Sequence, residues 1–357
     1  MDRSIQVIIV HILIHLGIVF FIFPTTIIDC TKEAHWISIL LGFLLHWFLI
    51  YIYTKGLSRF EGQNLMDIYL QYGKLLTAIF LLPLFVYLSM LASVTIRAYA
   101  ETISLVFLSY TPLWATMLLI AIISAFISSL DIHALFRTGV LMGVIFFPLI
   151  LFVLCMAFQN VDWHYVFPLW SNDFSFLTNP KYMESTFACG FMYLGFIQPS
   201  IRYNRKKILW WSITLIPFYL IAVYIPVLTF GEDTAAKFYF PFITAVDTID
   251  ITWLMFDRIT MFFLLCTVTF FMLFVSLTVW VNTEILKRCL PKTVRTPYIV
   301  IALHLLIFIS GIKIRDLQEV DFLFDVNAWL HTYNYLVIPF SIYILGWISR
   351  RKAATAV

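Results

Sequence analysis

The side chains and breaks able to do chemistry are few, and they fall where polar groups are costly. His15 stands two positions before Gly17 in an uncharged run, Ser4–Ile28, that also holds Pro24. A second run, Ser185–Ile201, repeats the pattern with Gly190, Gly195 and Pro199, and it is among the shortest apolar runs. A helix interrupted by glycine and proline leaves backbone N–H and C=O groups free to hold a ligand's carboxylate and ammonium. Glycine equally permits close helix packing, so both readings stand. His15 at membrane depth can bind a ligand or carry a proton, or simply bond a neighbouring carbonyl. Tyr87 sits mid-run and is either a pocket wall or a packed ring with a satisfied hydroxyl. Thr267 and Thr269 can donate to a ligand or back to their own helix. Arg97, Glu101, Asp257 and Arg258 fall near run ends, where ion pairs fix helix termini. No carboxylate lies deep in any run, which argues against a strongly proton- or sodium-coupled pump. There is no phosphate-binding glycine loop, paired-histidine metal motif or nucleophile elbow, so no enzyme, cofactor or metal is expected.

The elements that must position these residues follow from composition. The 357 residues are 62% hydrophobic with a mean hydropathy of +0.93, far above a soluble domain. Ten runs of roughly spanning length carry no Asp, Glu, Lys or Arg: Ser4–Ile28, Trp36–Thr54, Leu75–Ile96, Thr102–Leu130, Thr138–Val161, Ser185–Ile201, Ile208–Gly231, Ile259–Thr283, Thr296–Ile312 and Val326–Ser349. Continuous apolar runs of this length mean membrane helices. The fourth is too long for one span; Pro112 suits a helix's first turn, so that helix is started there and Thr102–Thr111 left to the preceding helix and loop. The first run is too long for a signal peptide and no small-x-small cleavage site follows it. The expectation is an all-α integral membrane protein, one polytopic domain over 1–357.

Sorting the 23 Lys and Arg by alternate loops places Arg3, Lys55, Arg59, Lys74, Arg137, Arg202, Arg205, Lys206, Lys207, Lys287, Arg288, Lys292, Arg295, Arg350, Arg351 and Lys352 on one side. Only Lys32, Arg97, Lys181, Lys237, Arg258, Lys313 and Arg315 fall on the other. The positive-inside rule then puts both termini in the cytoplasm, and the basic clusters are topological anchors rather than a nucleic-acid surface. Cys30, Cys155, Cys189, Cys266 and Cys289 are too scattered for a disulfide framework or metal spacing. Two surface helices are expected between spans. One follows an Asn64–Asp67 cap, with Leu65, Ile68, Tyr69 and Tyr72 at helical spacing. The other is Asp316–Leu330, with Val320, Leu323 and Phe324 on one side. The two interrupted runs open each half of five, the arrangement that points to a midplane site in inverted-repeat transporters.

The order of landmarks resembles the B-subunit family of spore germinant receptors, within the amino acid/polyamine/organocation (APC) transporter superfamily, over essentially the whole chain. Gly17 seven residues before Pro24, then Trp36-Ile37, resembles the family's opening. Arg97-Ala98-Tyr99-Ala100-Glu101 followed by Thr111-Pro112 resembles the segment after its third helix. Arg137 with Phe147-Pro148, Asn160-Val161-Asp162 with Pro168, Phe230-Gly231-Glu232, Phe240-Pro241 and Asp257-Arg258 continue the series. The resemblance implies a ten-helix, LeuT-like fold of two inverted five-helix repeats (about 4–161 and 182–349), with broken helices one and six. It implies a small-molecule pocket among helices one, three, six and eight, formed here by His15, Gly17 and Ile18, Tyr87 and Leu91, Gly190, Phe191 and Tyr193, and Thr267. Gly17 falls at the helix-one break. Tyr193 departs from relatives that have Glu there, and Thr267 from relatives with Trp. The implied function is nutrient sensing, with L-amino acids as ligands, in the spore inner membrane, beside an A-type membrane subunit and a C-type lipoprotein. The alternative is a stand-alone amino-acid secondary transporter, a permease using the same pocket.

Overall fold

The computed structural model describes residues 3–60, 62–108, 110–179, 181–182, 190–249, 259–291 and 293–355, with 350–355 by backbone alone. Among these residues the regular structure is helical, with no strand. The chain starts with α1 (Ser4–Val19) and α2 (Ile22–Cys30), which meet at 63°. It continues with α3 (His35–Leu57), the short α4 (Leu65–Gln71), α5 (Lys74–Val106), α6 (Leu113–Ser129) and α7 (Ile132–Met156). After two 3-10 turns come α8 (Tyr193–Phe196), α9 (Arg205–Ser212), α10 (Leu215–Phe230), α11 (Glu232–Ala235) and α12 (Pro241–Asp247). The last three are α13 (Thr260–Cys289), α14 (Thr296–Lys313) and α15 (Leu317–Thr355).

Among the described residues, six helices are long and apolar enough to cross a membrane, with α9 and α10 forming one of them, and the bent α1–α2 pair makes a seventh. The chain is a multi-pass helical membrane protein. Helix α6 is apolar but shorter, at 17 residues. Helix α15 is long but diluted by buried Asn327, His331 and Asn334. Residues 185–189 of the sixth uncharged run lie outside the described residues, as do Asp257 and Arg258.

Burial sorts the helices into centre and perimeter. Helix α13 is 72% buried over its most apolar window and packs on α1, whereas α7 and α14 are 28% and 33% buried over theirs. Leu141, Val144 and Ile145 on α7 and Ile301, Leu305 and Ile309 on α14 are exposed. On a membrane protein such side chains face lipid, which is as apolar as they are.

Several local expectations meet the structure directly. Asn64 caps α4, its Oδ1 accepting the Asp67 N–H at 2.8 Å. Pro112 is the N-cap of α6, one residue ahead of the helix. Helix α7 starts earlier than Thr138, because Asp131 caps it by accepting the His133 N–H. The segment Asp316–Leu330 is not a separate surface helix. It is the first part of α15, whose Val320 packs with Val94, Ala98 and Ile314 instead of lying on a membrane face.

The two ends of the bundle differ in charge. At one end Arg3 N–H donates to the Arg202 carbonyl, the Arg205 guanidinium lies over the Tyr51 ring, and Arg288 pairs with Asp67 at 2.8 Å. Arg3, Arg202, Arg205, Arg288 and Asp67 all belong to the more basic set of loops. At the other end His35 faces Glu232, and Lys181 stands 3.8 Å from Asp325.

Candidate functional site

Proline, rather than glycine, breaks the first span. A proline ring displaces the carbonyl four residues earlier, here that of Phe20, and supplies no N–H. The helix accordingly stops at Val19 and resumes at Ile22, so that Pro24 falls in the first turn of α2, where a missing donor costs little. The break is held by rings. Phe21 stacks on Tyr99 at 3.7 Å, and Tyr99 stacks on Phe271 at 3.8 Å. Phe20 packs on Phe242 at 4.6 Å. The Gly17 carbonyl accepts the Tyr99 hydroxyl proton.

Gly17 itself is not the breaking residue expected from the sequence. It lies inside α1 against α13, where a Cβ would come within 2.7 Å of the Phe270 carbonyl carbon and the Phe271 nitrogen. Its role is close approach of two backbones, with its carbonyl the group that the break leaves to Tyr99.

Beside the break lies a cavity of about 400 Å³, within the usual range for small-molecule pockets. Ile18, Phe21 and Ile22 from the bend form one wall, and Tyr87, Leu91, Thr95 and Tyr99 of α5 form the facing one. Phe240, Tyr239 and Lys237 close over it from the segment between α11 and α12. The rim carries both signs of charge: Asp29, Asp321 and Asp325 against Lys181 and Lys237. Toward the floor are buried Asn327 and His331 of α15. The Tyr87 hydroxyl and His331 Nδ1 are 3.0 Å apart. Asn327 Oδ1 has no hydrogen-bond partner among the described residues. Such a cavity can take a small zwitterion: carboxylates for an ammonium, lysines for a carboxylate, and apolar walls for a side chain.

The structure brings some of the sequence-predicted residues together and leaves others apart. Ile18, Tyr87 and Leu91 line the cavity. Leu91 also borders a much smaller one, about 20 Å³, with Gly190 and Tyr193. Gly190–Met192 is a non-helical turn ahead of α8, and Tyr53 donates its hydroxyl to the Met192 carbonyl at 3.0 Å. His15, Gly17, Phe191 and Thr267 touch neither cavity. The His15 Nδ1 lies 2.7 Å from the His11 carbonyl, and Thr267 Oγ1 donates to the Phe263 carbonyl at 3.0 Å. Phe191 is packed among His46, Tyr53 and Tyr335.

Arg97 pairs with Glu101 and also donates to the Ile314 and Arg315 carbonyls at 3.2 and 3.1 Å. It therefore caps the C-terminal end of α14 as well as making the expected ion pair. Sequence reasoning missed Asp29, Lys181, Lys237, Asp321, Asn327 and His331. Their common signal, polar residues in the less basic set of loops and in the first part of α15, could have marked them as a rim.

A family model described as "spore germination protein" matches residues 3–318. No curated protein matches the chain.

Proposed function

The chain belongs to the spore germination protein family, and from that premise we propose that it is the nutrient-sensing membrane subunit of a germinant receptor. The observation that carries this is the cavity of about 400 Å³ at the 63° bend of the first span. The bend gives Ile18, Val19, Phe21 and Ile22 to a site that also has charges of both signs and a buried acceptor, Asn327 Oδ1, with no partner among the described residues. L-amino acids fit that chemistry. The full arrangement in this reading is ten spans in two inverted repeats, about 4–161 and 182–349, with both termini cytoplasmic and the protein in the spore inner membrane. An A-type membrane subunit and a C-type lipoprotein read the change. Nutrient acts by binding one conformation more tightly than another; a shift from 1:99 to 99:1 takes about 5.5 kcal/mol of differential affinity.

The test is deletion of the gene in a sporulating host, complemented by wild type or Ile18→Trp, with germination scored against a panel of L-amino acids. Ile18 is only partly buried and borders the cavity, so a larger ring there extends into the cavity rather than into packed protein. The deletion is expected to abolish the response to at least one amino acid, and Ile18→Trp to leave it at least tenfold weaker at normal protein level. Normal germination of the deletant with every nutrient, together with uptake of labelled amino acid by proteoliposomes, would replace sensing with stand-alone transport.

A further inference from the structure

Away from the cavity, three histidines meet in the interior. His11 and His15 lie four residues apart on α1, so they share one face, and His46 of α3 points to the same place. One ring nitrogen from each lies within 4.8 Å of the other two, and all three residues are at most 1% exposed. The ring centroids of His11 and His15 are 4.5 Å apart, and those of His15 and His46 are 5.4 Å apart.

Each ring is also held by an outer group. The His15 Nδ1 faces the His11 carbonyl at 2.7 Å. A carbonyl can only accept, so this nitrogen carries the proton and the lone pair of the neutral ring sits on Nε2. His46 Nδ1 is 2.8 Å from the Tyr335 hydroxyl, and His11 Nε2 is 3.3 Å from Ser212 Oγ. His11 Nδ1 has no hydrogen-bond partner among the described residues. Imidazoles that ligate metals characteristically have one nitrogen fixed in this way by a carbonyl or hydroxyl.

We propose that His11, His15 and His46 form a binding site for a late first-row transition-metal ion inside the membrane domain. Imidazole nitrogen is a preferred donor for zinc and copper, and three such donors with a position left open is a known coordination set. The uncharged runs that supply the ligands, Ser4–Ile28 and Trp36–Thr54, contain no carboxylate. No Asp or Glu is buried among the described residues to offset the ion's charge, and the cost of burying a charge rises with its square, which favours copper(I) over zinc(II). The 4.8 Å spread is wider than the roughly 3.3 Å between nitrogens around a tetrahedral ion, so the rings draw inward on binding. The site is linked to the cavity by side chains: Tyr335, against His46, stacks at 4.9 Å on His331, which meets Tyr87 at the cavity floor.

The test uses the full chain purified with a tag that contains no histidine. Copper(I) under anaerobic conditions, zinc(II) and magnesium(II) are each titrated against a chromogenic chelator, and bound metal is counted per chain. About one copper(I) per chain is expected, with no magnesium. His15→Gln and His46→Gln should each weaken binding at least tenfold, while His304→Gln, a buried histidine outside the cluster, should not. X-ray absorption of the loaded wild type should report nitrogen ligands, a readout independent of whether a variant folds. Zinc held in the same histidine-dependent way supports the site and overturns only the charge argument. Sub-stoichiometric binding of both metals, sulfur ligation, or equal affinity in all variants overturns the site. So does proton flux in metal-free proteoliposomes that His46→Gln abolishes without any metal binding, which would make the cluster a proton path.

Discussion

Glu232 shows how a single side chain reports on this fold. It begins the four-residue α11, half-buried, with His35 Nε2 3.8 Å from its carboxylate. Burial pushes its carboxyl up to about 7, Asp233 and Glu33 add to the rise, and Lys32 opposes it. The folded protein therefore holds the proton more tightly than the unfolded chain, whose glutamate titrates near 4.5. The resulting stabilisation is complete below about 4.5 and is lost as pH rises through about 7. Glu232→Gln should match the wild type at acid pH and melt at a higher temperature above pH 7, measured by thermal unfolding in detergent from pH 4.5 to 8.5. Parallel profiles would mean that the carboxyl is not desolvated. At this scale the sequence pattern misled most where one residue type serves two ends. Gly17 and Pro24 are both helix-weakening, but only contact geometry separates them: the Phe270–Phe271 backbone against Gly17 makes it a packing residue and leaves the break to Pro24. The four-residue spacing of His11 and His15 fits no paired-histidine motif by itself, and His46 comes from another helix, so the cluster was not legible in the sequence.

Among the elements, the junction of α5, α14 and α15 depends on Arg97. Arg97 is 3% exposed, and its guanidinium donates to the two carbonyls at the end of α14 while pairing with Glu101. Those carbonyls lie past the last helical turn, where no intrahelical donor remains. Hydrogen bonds from a charged group are each worth about 1.5–3 kcal/mol, so Arg97→Ala should lower stability by roughly 2–3 kcal/mol after relaxation. Arg97→Lys keeps the charge but loses the planar fork, and should recover less than half of that. Chemical unfolding of the detergent-solubilised protein measures both; variants within about 0.5 kcal/mol of wild type would show that the clamp contributes little. Elements bounded by charge were legible because charges cannot stay in lipid, as with α14, which ends at Lys313 as its uncharged run ends at Ile312. The start of α15 was not. Asp316–Leu330 reads as a surface helix with Val320, Leu323 and Phe324 on one side, but Asp321 and Asp325 line the cavity, Asp325 pairs with Lys181, and Val320 packs inward.

For the molecule as a whole, the bundle joins at one end residues from loops that are far apart in sequence. Arg3 meets Arg202, and Arg288 meets Asp67, all from the more basic set of loops. Lys181, Lys237, Asp321 and Asp325 gather around the cavity at the other. That partition was legible because loop charge alternates with each crossing, whereas the cavity itself was not, since it depends on the angle between α1 and α2. The charge asymmetry predicts which end faces the cytoplasm, because positive residues stay on that side. Cys289 is exposed and follows Arg288 at the basic end, and Lys237 is exposed at the cavity rim. In a background with Cys30 and Cys155 replaced by serine, a membrane-impermeant maleimide applied to intact cells should label Lys237→Cys and spare Cys289. Permeabilised cells should label both. The inverse pattern would turn the molecule over and present the cavity to the cytoplasm, where an external nutrient could not reach it without being carried across. Labelling of both sites in intact cells would mean that the two ends are not separated by the bilayer. The expected pattern would open the cavity outward, as the sensing proposed above requires.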